Sequence, residues 1–261
     1  MAKLKSVQEG IVNSQVWKSI FRVGVPNTNR KRVLAVLGSL ILHLHPVKVR
    51  RSGVRMSYTW CMGGTSFFLF LVETITGLLL MFYYRPTAEY AYHDIVYLRA
   101  DVALGTMREI HRWGAHAMVI TIWLHMMRVF LTGAYKPPRE FNWGVGVVLL
   151  LLTLLLSFTG YLLPWDQLAM WAITVGTNMA RATPLLGHEG PGAAFIKVGD
   201  ISVVHSASDV RFGLLASRFV GAPAILRFYV LHCVGFPLIA AFLIAVHFWR
   251  VRKDGGISGP L

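Results

Sequence analysis

Four stretches of the chain are apolar almost without interruption: Thr59 to Tyr84, His111 to Thr132, Trp143 to Leu163 and Phe228 to Trp249, here termed runs A to D. Each reaches the roughly 20 residues that an α-helix needs to cross about 30 Å of hydrocarbon. A fifth stretch, Val33 to Leu44, is too short to span and is flanked by Arg30, Lys31 and Arg32 on one side and Lys48, Arg50 and Arg51 on the other. That pattern predicts a helix lying on the membrane surface. The chain therefore reads as an all-α membrane protein. It has a basic N-terminal segment (1–58) carrying a surface helix, then a four-helix domain (59–261) whose C to D connection makes a long surface excursion (164–226). Gly187, Gly190, Pro191, Gly192 and Gly199 break up that excursion, while its first part, Asp166 to Ala182, is apolar enough for a short surface helix.

Composition agrees with this reading: 55% of residues are hydrophobic and the mean hydropathy is +0.53. The formal charge of +14 would suit a nucleic-acid binder, but its distribution does not. Positions 1–58 hold eleven Lys and Arg against Glu9 alone, the B to C turn and the C-terminal tail are basic, and the A to B connection sets three basic residues against four acids. This is the positive-inside bias of a membrane protein with both termini in the cytoplasm, and no nucleic-acid partner is expected. The first residues lack the apolar core of a cleaved leader. Cys61 and Cys233 both fall in membrane runs, which argues against a secreted disulfide framework.

Histidines carry the chemistry. His111 and His125 are 14 residues apart on run B, about 40° short of four helical turns, so they share a face about 21 Å apart along the axis. His232 and His247 are 15 apart on run D, about 60° beyond four turns. If successive helices alternate in direction, runs B and D are parallel, and the four side chains form two facing pairs at two depths. Two imidazoles per level is the donor set of bis-histidine heme ligation. A lone intramembrane histidine is as often a helix-packing residue, whereas four with matched spacing favour the ligand reading. His116 points away from both positions on run B. His93, His188 and His205 fall in connections, and His43 and His45 in the surface segment, where solvated histidine is expected.

Glycines repeat the interval, with Gly63 and Gly77 on run A and Gly146 and Gly160 on run C, each pair 14 apart. A flat macrocycle wedged between helices needs close backbone approach, which glycine permits. Arg108 precedes His111 by three residues and Arg128 follows His125 by three, where each could meet a heme propionate or simply snorkel to the interface.

Several segments together resemble the cytochrome b family of cytochrome bc and b6f complexes, specifically the short b6 type. They are Cys61-Met-Gly-Gly64, Phe82-Tyr-Tyr-Arg-Pro86, Arg108-Glu-Ile-His111-Arg-Trp, Leu131-Thr-Gly, Gly160-Tyr-Leu-Leu-Pro-Trp-Asp-Gln167, Arg227-Phe-Tyr and Gly256-Ile-Ser-Gly-Pro-Leu261. The 15-residue interval on run D is similar to the b6 type rather than the mitochondrial one. The resemblance implies a redox subunit of a quinol:cytochrome c type oxidoreductase. His111 and His232 would ligate the positive-side heme b iron, and His125 and His247 the negative-side one. Half of a quinol-oxidation site would lie at Tyr161, Pro164, Trp171 and Ala172. Its other half belongs, in the family, to a separate subunit with a Pro-Glu-Trp-Tyr motif that this chain lacks. Implied partners are a subunit-IV-like protein, a Rieske iron-sulfur protein and a c-type cytochrome, in a dimeric complex of the bacterial cytoplasmic membrane.

Read alone, Cys61 is a small hydrophobe. The resemblance instead implies a third heme, of c type, attached there by a single thioether, with Arg252 as its propionate partner. Glu73 departs from the family, which has a neutral amide at that place, and as an intramembrane acid it is either protonatable or paired. The longer C to D connection and basic N-terminus favour a respiratory over a photosynthetic host. Two other classes stay open on the residues alone: the heme b anchor of a dehydrogenase, hydrogenase or nitrate reductase, and a non-redox transporter.

Overall fold

The computed structural model describes residues 10–20, 27–37, 51 and 55–257. Among these, α1 (Gln15–Ile20), α2 (Asn29–Leu37) and α3 (Met56–Thr59) precede four helices long and apolar enough to cross a membrane. The first is α4 (Met62–Met81); α5 (Ala91–Ala100) is a short connection helix, and α6 (Val102–Leu131) and α7 (Glu140–Leu162) are the second and third. After α8 (Gln167–Ala180), a hairpin of β1 (Lys197–Val198) and β2 (Ile201–Ser202), and α9 (Val210–Leu215), the fourth spans Ala222–Lys253 as α10 (Ala222–Val230), a π turn (Leu231–Gly235) and α11 (Phe236–Lys253). Many large apolar side chains of these spans, Phe68, Ile75, Trp123 and Phe242 among them, are exposed, as expected where the solvent is lipid.

Helix ends follow local chemistry rather than the limits of the apolar runs. Helix α6 begins at Val102, nine residues before run B, because Arg108 and Glu109 end an apolar run without ending a helix. Gly133, at φ 63°, closes α6 with a Schellman motif: its amide bonds to the Phe130 carbonyl and that of Ala134 to the Val129 carbonyl. Pro137-Pro138 follow, and Glu140 enters the first turn of α7, where the helix dipole favours an acid. Asp166 caps α8, its carboxylate accepting from the Ala169 amide at 2.8 Å. Of the surface stretch Val33 to Leu44, α2 covers the part through Leu37, with Val33 and Leu34 exposed; the rest, with His43 and His45, lies outside the described residues.

The fourth span is not a uniform α-helix. Pro237 has no amide to give the Cys233 carbonyl and its ring crowds that carbonyl, so the turn before it widens. The Phe236 amide bonds instead to the Leu231 carbonyl, five residues back. A π turn holds one residue more than an α turn. It takes up the one residue by which the His232–His247 interval exceeds that of His111–His125.

The chain divides into two compact units, and every long helix gives one end to each. The first takes residues through Leu69, Ala117–Thr153, and from Ile239 on; the second takes Phe70–His116 and Leu154–Leu238. In the second unit Leu162, Ile173, Leu215, Ala224 and Phe228 form a core that joins the end of α7, α8, α9 and α10. Tyr84, Ala91 and Ile225 form a smaller one, and Trp165 packs against both. That packing holds Trp165 at φ 52°, in the turn between α7 and α8. The Tyr84 hydroxyl donates to the Leu163 carbonyl at 2.6 Å, tying α4's exit to the same turn.

Candidate functional site

In the second unit His111 on α6 faces His232 in the π turn, with ring centroids 6.2 Å apart and planes crossed at 82°. Their outer nitrogens are anchored. His232 Nδ1 lies 3.1 Å from the Leu156 carbonyl and 3.2 Å from Thr159 Oγ1. A carbonyl only accepts, so Nδ1 carries the proton and Nε2 keeps a free lone pair. His111 Nδ1 lies 2.9 Å from Thr76 Oγ1 and 3.0 Å from Glu73 Oε2. Thr76 already donates to the Val72 carbonyl at 2.7 Å, so its hydroxyl is an acceptor for His111.

In the first unit His125 on α6 faces His247 on α11, with centroids 6.4 Å apart and planes at 75°. Here, among the described residues, His125 Nδ1 is buried without a hydrogen bond, and His247 Nδ1 is buried with no side-chain partner and at most the Asn142 backbone beside it.

Each imidazole rests on one of the four predicted glycines. A Cβ on Gly77 would lie 3.2 Å from His111 Cε1, on Gly63 3.2 Å from His125 Cε1, on Gly160 2.6 Å from His232 Cε1 and on Gly146 3.9 Å from His247 Cε1. A Cβ on Gly63, Gly77 or Gly160 would meet the histidine ring first, whereas on Gly146 it would meet Met126 Sδ first, at 3.6 Å. The geometry fits a metal held between two imidazoles, because two nitrogen–metal bonds of about 2 Å put ring centroids roughly 6 Å apart. Thr76 and Thr159, missed in the sequence, each immediately precede one of these glycines on α4 and α7.

Arg108 pairs with Glu109 at 2.9 Å, and Arg128 lies 5.8 Å above the Tyr58 ring with its Nε buried and unbonded. Cys61 is exposed at the start of α4, in the same unit as His125 and His247, with φ 52° and its amide donating to Thr59 Oγ1. A Cβ on Gly64 would fall 3.0 Å from its Sγ, so both glycines of Cys61-Met-Gly-Gly64 clear space for a side chain. Arg252 is half-buried in the last turn of α11. Its neighbour Arg250, passed over in the sequence, is fully buried and pairs with buried Asp254 at 3.0 Å. Tyr161 and Trp171 are exposed and Pro164 and Ala172 half-buried, all in the second unit. His116 is exposed and bonds the Arg112 carbonyl through Nδ1 at 2.7 Å. Outside the spans, His188 binds Asp209, whose carboxyl burial pushes up but the Phe212 amide and His188 bring below its ordinary value.

Paired imidazoles beside glycines on membrane-length helices fit the class of membrane cytochromes. The family profile described as Cytochrome b/b6/petB matches residues 47–203, and the chain belongs to that family. Cytochromes b of this family carry heme b, which sets aside the transporter reading. The menaquinol:cytochrome c reductase cytochrome b subunit of Geobacillus thermodenitrificans is 38% identical over 206 residues, covering 78% of this chain and 83% of that protein. The subunit of the same name from Bacillus subtilis (strain 168) is 39% identical over 208 residues, with the same shares. Cytochrome b6 of Gracilaria tenuistipitata var. liui is 40% identical over 203 residues, 77% of this chain and 85% of that one. A chain of a hyperthermophilic respiratory Complex III shares the fold, at TM-score 0.62 and 24% identity over 87% of this chain; this chain spans about half (54%) of that one.

Proposed function

We propose that this chain is the b6-type cytochrome b subunit of a bacterial quinol:cytochrome c type oxidoreductase. It passes electrons from quinol oxidation on the positive side of the membrane to quinone reduction on the negative side, coupled to proton translocation. The observation that carries the reading is the pair of facing histidine couples, each ring seated on a glycine, in a member of the cytochrome b/b6 family.

His111 and His232 would hold one heme b and His125 and His247 the other, with Cys61 carrying a third heme, of c type, by one thioether. Arg108, Arg128 and Arg252 would meet propionates. When bound, these groups supply one-electron carriers between the two sides of the membrane. The chain's own part is to fix the ligands and exclude water. At His232 the Leu156 carbonyl holds the proton on Nδ1 and keeps Nε2 available to the iron. Tyr161, Pro164, Trp171 and Ala172 would form half of the quinol-oxidation site. The exposure of Tyr161 (53%) and Trp171 (64%) suits a surface that a second subunit completes. As the family resemblance implies, the chain would work beside a subunit-IV-like protein, a Rieske iron-sulfur protein and a c-type cytochrome in a dimeric complex, with both termini cytoplasmic.

The test is a dithionite-reduced minus oxidised spectrum of the purified complex, combined with a denaturing gel stained for heme peroxidase activity. His125→Leu is expected to lose one b heme and keep the other, and Cys61→Ala to lose the stain on this chain. A His125→Leu complex that retains both b hemes would overturn the ligand assignment. An unstained parent chain would remove the thioether.

A further inference from the structure

The second unit buries an acid that the ligand scheme does not use. Glu73 lies on α4, one helical turn before Thr76 and Gly77, and its side chain is 13% exposed. Oε2 is 3.0 Å from His111 Nδ1, while Oε1 is buried with no hydrogen bond among the described residues. Across from it, α6 carries Gly114, three residues after His111, and a Cβ there would overlap Glu73 Oε1. Three features thus converge on one imidazole edge: a carboxyl oxygen, a hydroxyl that can only accept, and a glycine that leaves room for the carboxyl. An ionisable side chain in a membrane span is costly to keep, and here its neighbour is a specific ring nitrogen.

We propose that Glu73 is a positioning residue for His111, lowering the reduction potential of the heme that His111 ligates relative to that of the His125–His247 pair. The inference rests on the ligand assignment made above. Its physical basis is the carboxyl oxygen placed 3.0 Å from the non-ligating nitrogen, an ion-pair contact beside the Thr76 hydrogen bond. An acceptor at Nδ1–H fixes the tautomer and ring orientation and makes Nε2 a stronger donor. Stronger donation favours the more highly charged oxidised iron. Among the described residues neither His125 nor His247 has a carboxyl or hydroxyl at Nδ1.

Potentiometric titration of the two b-heme bands in the assembled complex tests this. In Glu73→Leu one midpoint is expected to rise by a tenfold change in its reduction constant, about 59 mV for one electron, while the other stays put. Glu73→Gln, which keeps an oxygen within reach of Nδ1, should recover most of the shift. Gly114→Ala should move the same midpoint in the same direction by displacing the carboxyl, and it decides the matter if Glu73→Leu fails to assemble. Unchanged midpoints in Glu73→Leu, or in Gly114→Ala where the first variant is lost, overturn the proposal. Equal shifts in the Leu and Gln variants overturn it too. His111→Leu separates the two possible failures. If it keeps both b hemes, the ligand assignment falls and the Glu73 proposal with it. If it loses one while Glu73→Leu moves no potential, only the Glu73 proposal falls.

Discussion

The two histidine pairs have nearly the same spacing, 6.2 and 6.4 Å between ring centroids, yet they are held in different ways. His111 and His232 each have two oxygens close to Nδ1, one of them the hydroxyl of a Thr-Gly dipeptide: Thr76-Gly77 on α4, Thr159-Gly160 on α7. Among the described residues His125 has none and His247 only the Asn142 backbone, and the residues before their glycines are Met62 and Val145. One pair is oriented by side-chain and backbone oxygens at both rings, the other mainly by packing. Identical ligand types can therefore present different donor strength to a metal, because the neighbours of the outer nitrogen set ligand basicity. With the two pairs ligating hemes as proposed, such a difference would give them unequal potentials without changing any ligand.

The largest expected effect comes from closing the tightest glycine. Gly160→Ala would put a Cβ 2.6 Å from His232 Cε1, and that ring cannot move without giving up Thr159 and Leu156. Overpacking of this kind costs about 1–3 kcal/mol. The variant should lose most of one b heme, read as heme per protein by pyridine hemochrome. Gly146→Ala, whose Cβ would sit 3.9 Å from His247 Cε1, should keep parental heme content. Equal losses in the two would break the distinction between pairs. A smaller effect is expected from Thr159→Val, which removes one of His232's two acceptors while keeping its volume. Loss of an outer-shell partner of this kind lowers ligand affinity by about 10-fold, so heme should dissociate sooner in a detergent-stability series, with the His125–His247 heme unaffected.

Much of this was legible in the sequence, for a physical reason. Span lengths, the 14-residue intervals and the glycines all express one helical period, so they survive in one dimension. Thr76 and Thr159 were not found, because an i−4 back-bonded threonine in a span looks like ordinary helix packing; the only signal was the Thr-Gly dipeptide repeated on runs A and C. The π turn also went unread, although Gly235-Phe236-Pro237 inside run D marks it. Arg250 reads as part of the basic tail, since burial against Phe141 and Asp254 is a tertiary fact. Glu73 stood out as a departure, but its partner did not, because α4 and α6 residues meet only in the fold.

The smallest expected effect lies outside the spans, and it asks whether the hydrogen-bonded pair is also better supported from its flank. After α4, Asp94 accepts from the Arg85 amide at 2.8 Å and from its Nε at 3.0 Å, and Arg85 stacks over Tyr90 at 4.0 Å. These bonds lock residues 85–94 beside Tyr84, whose ring stacks on Tyr229 three residues before His232. The Arg85 hydrogen bond holds the Asp94 carboxyl below its ordinary value, and this outweighs burial, which pushes it up. A carboxyl with a lowered native pKa contributes stability above its unfolded value, about 3.9, and loses it as pH falls through the lowered one. Hydrogen exchange in the 82–101 segment, corrected for intrinsic rates, should therefore be flat from neutral pH down to about 4 and rise below it. Asp94→Asn should exchange faster already at neutral pH, by a few-fold, because Arg85 stays solvent-accessible and its bond is screened. If the variant and the parent exchange alike at pH 7, the Arg85–Asp94 clamp contributes nothing to the flank of the His111–His232 pair, and the contrast between the pairs reduces to Thr76, Thr159, Leu156 and Glu73.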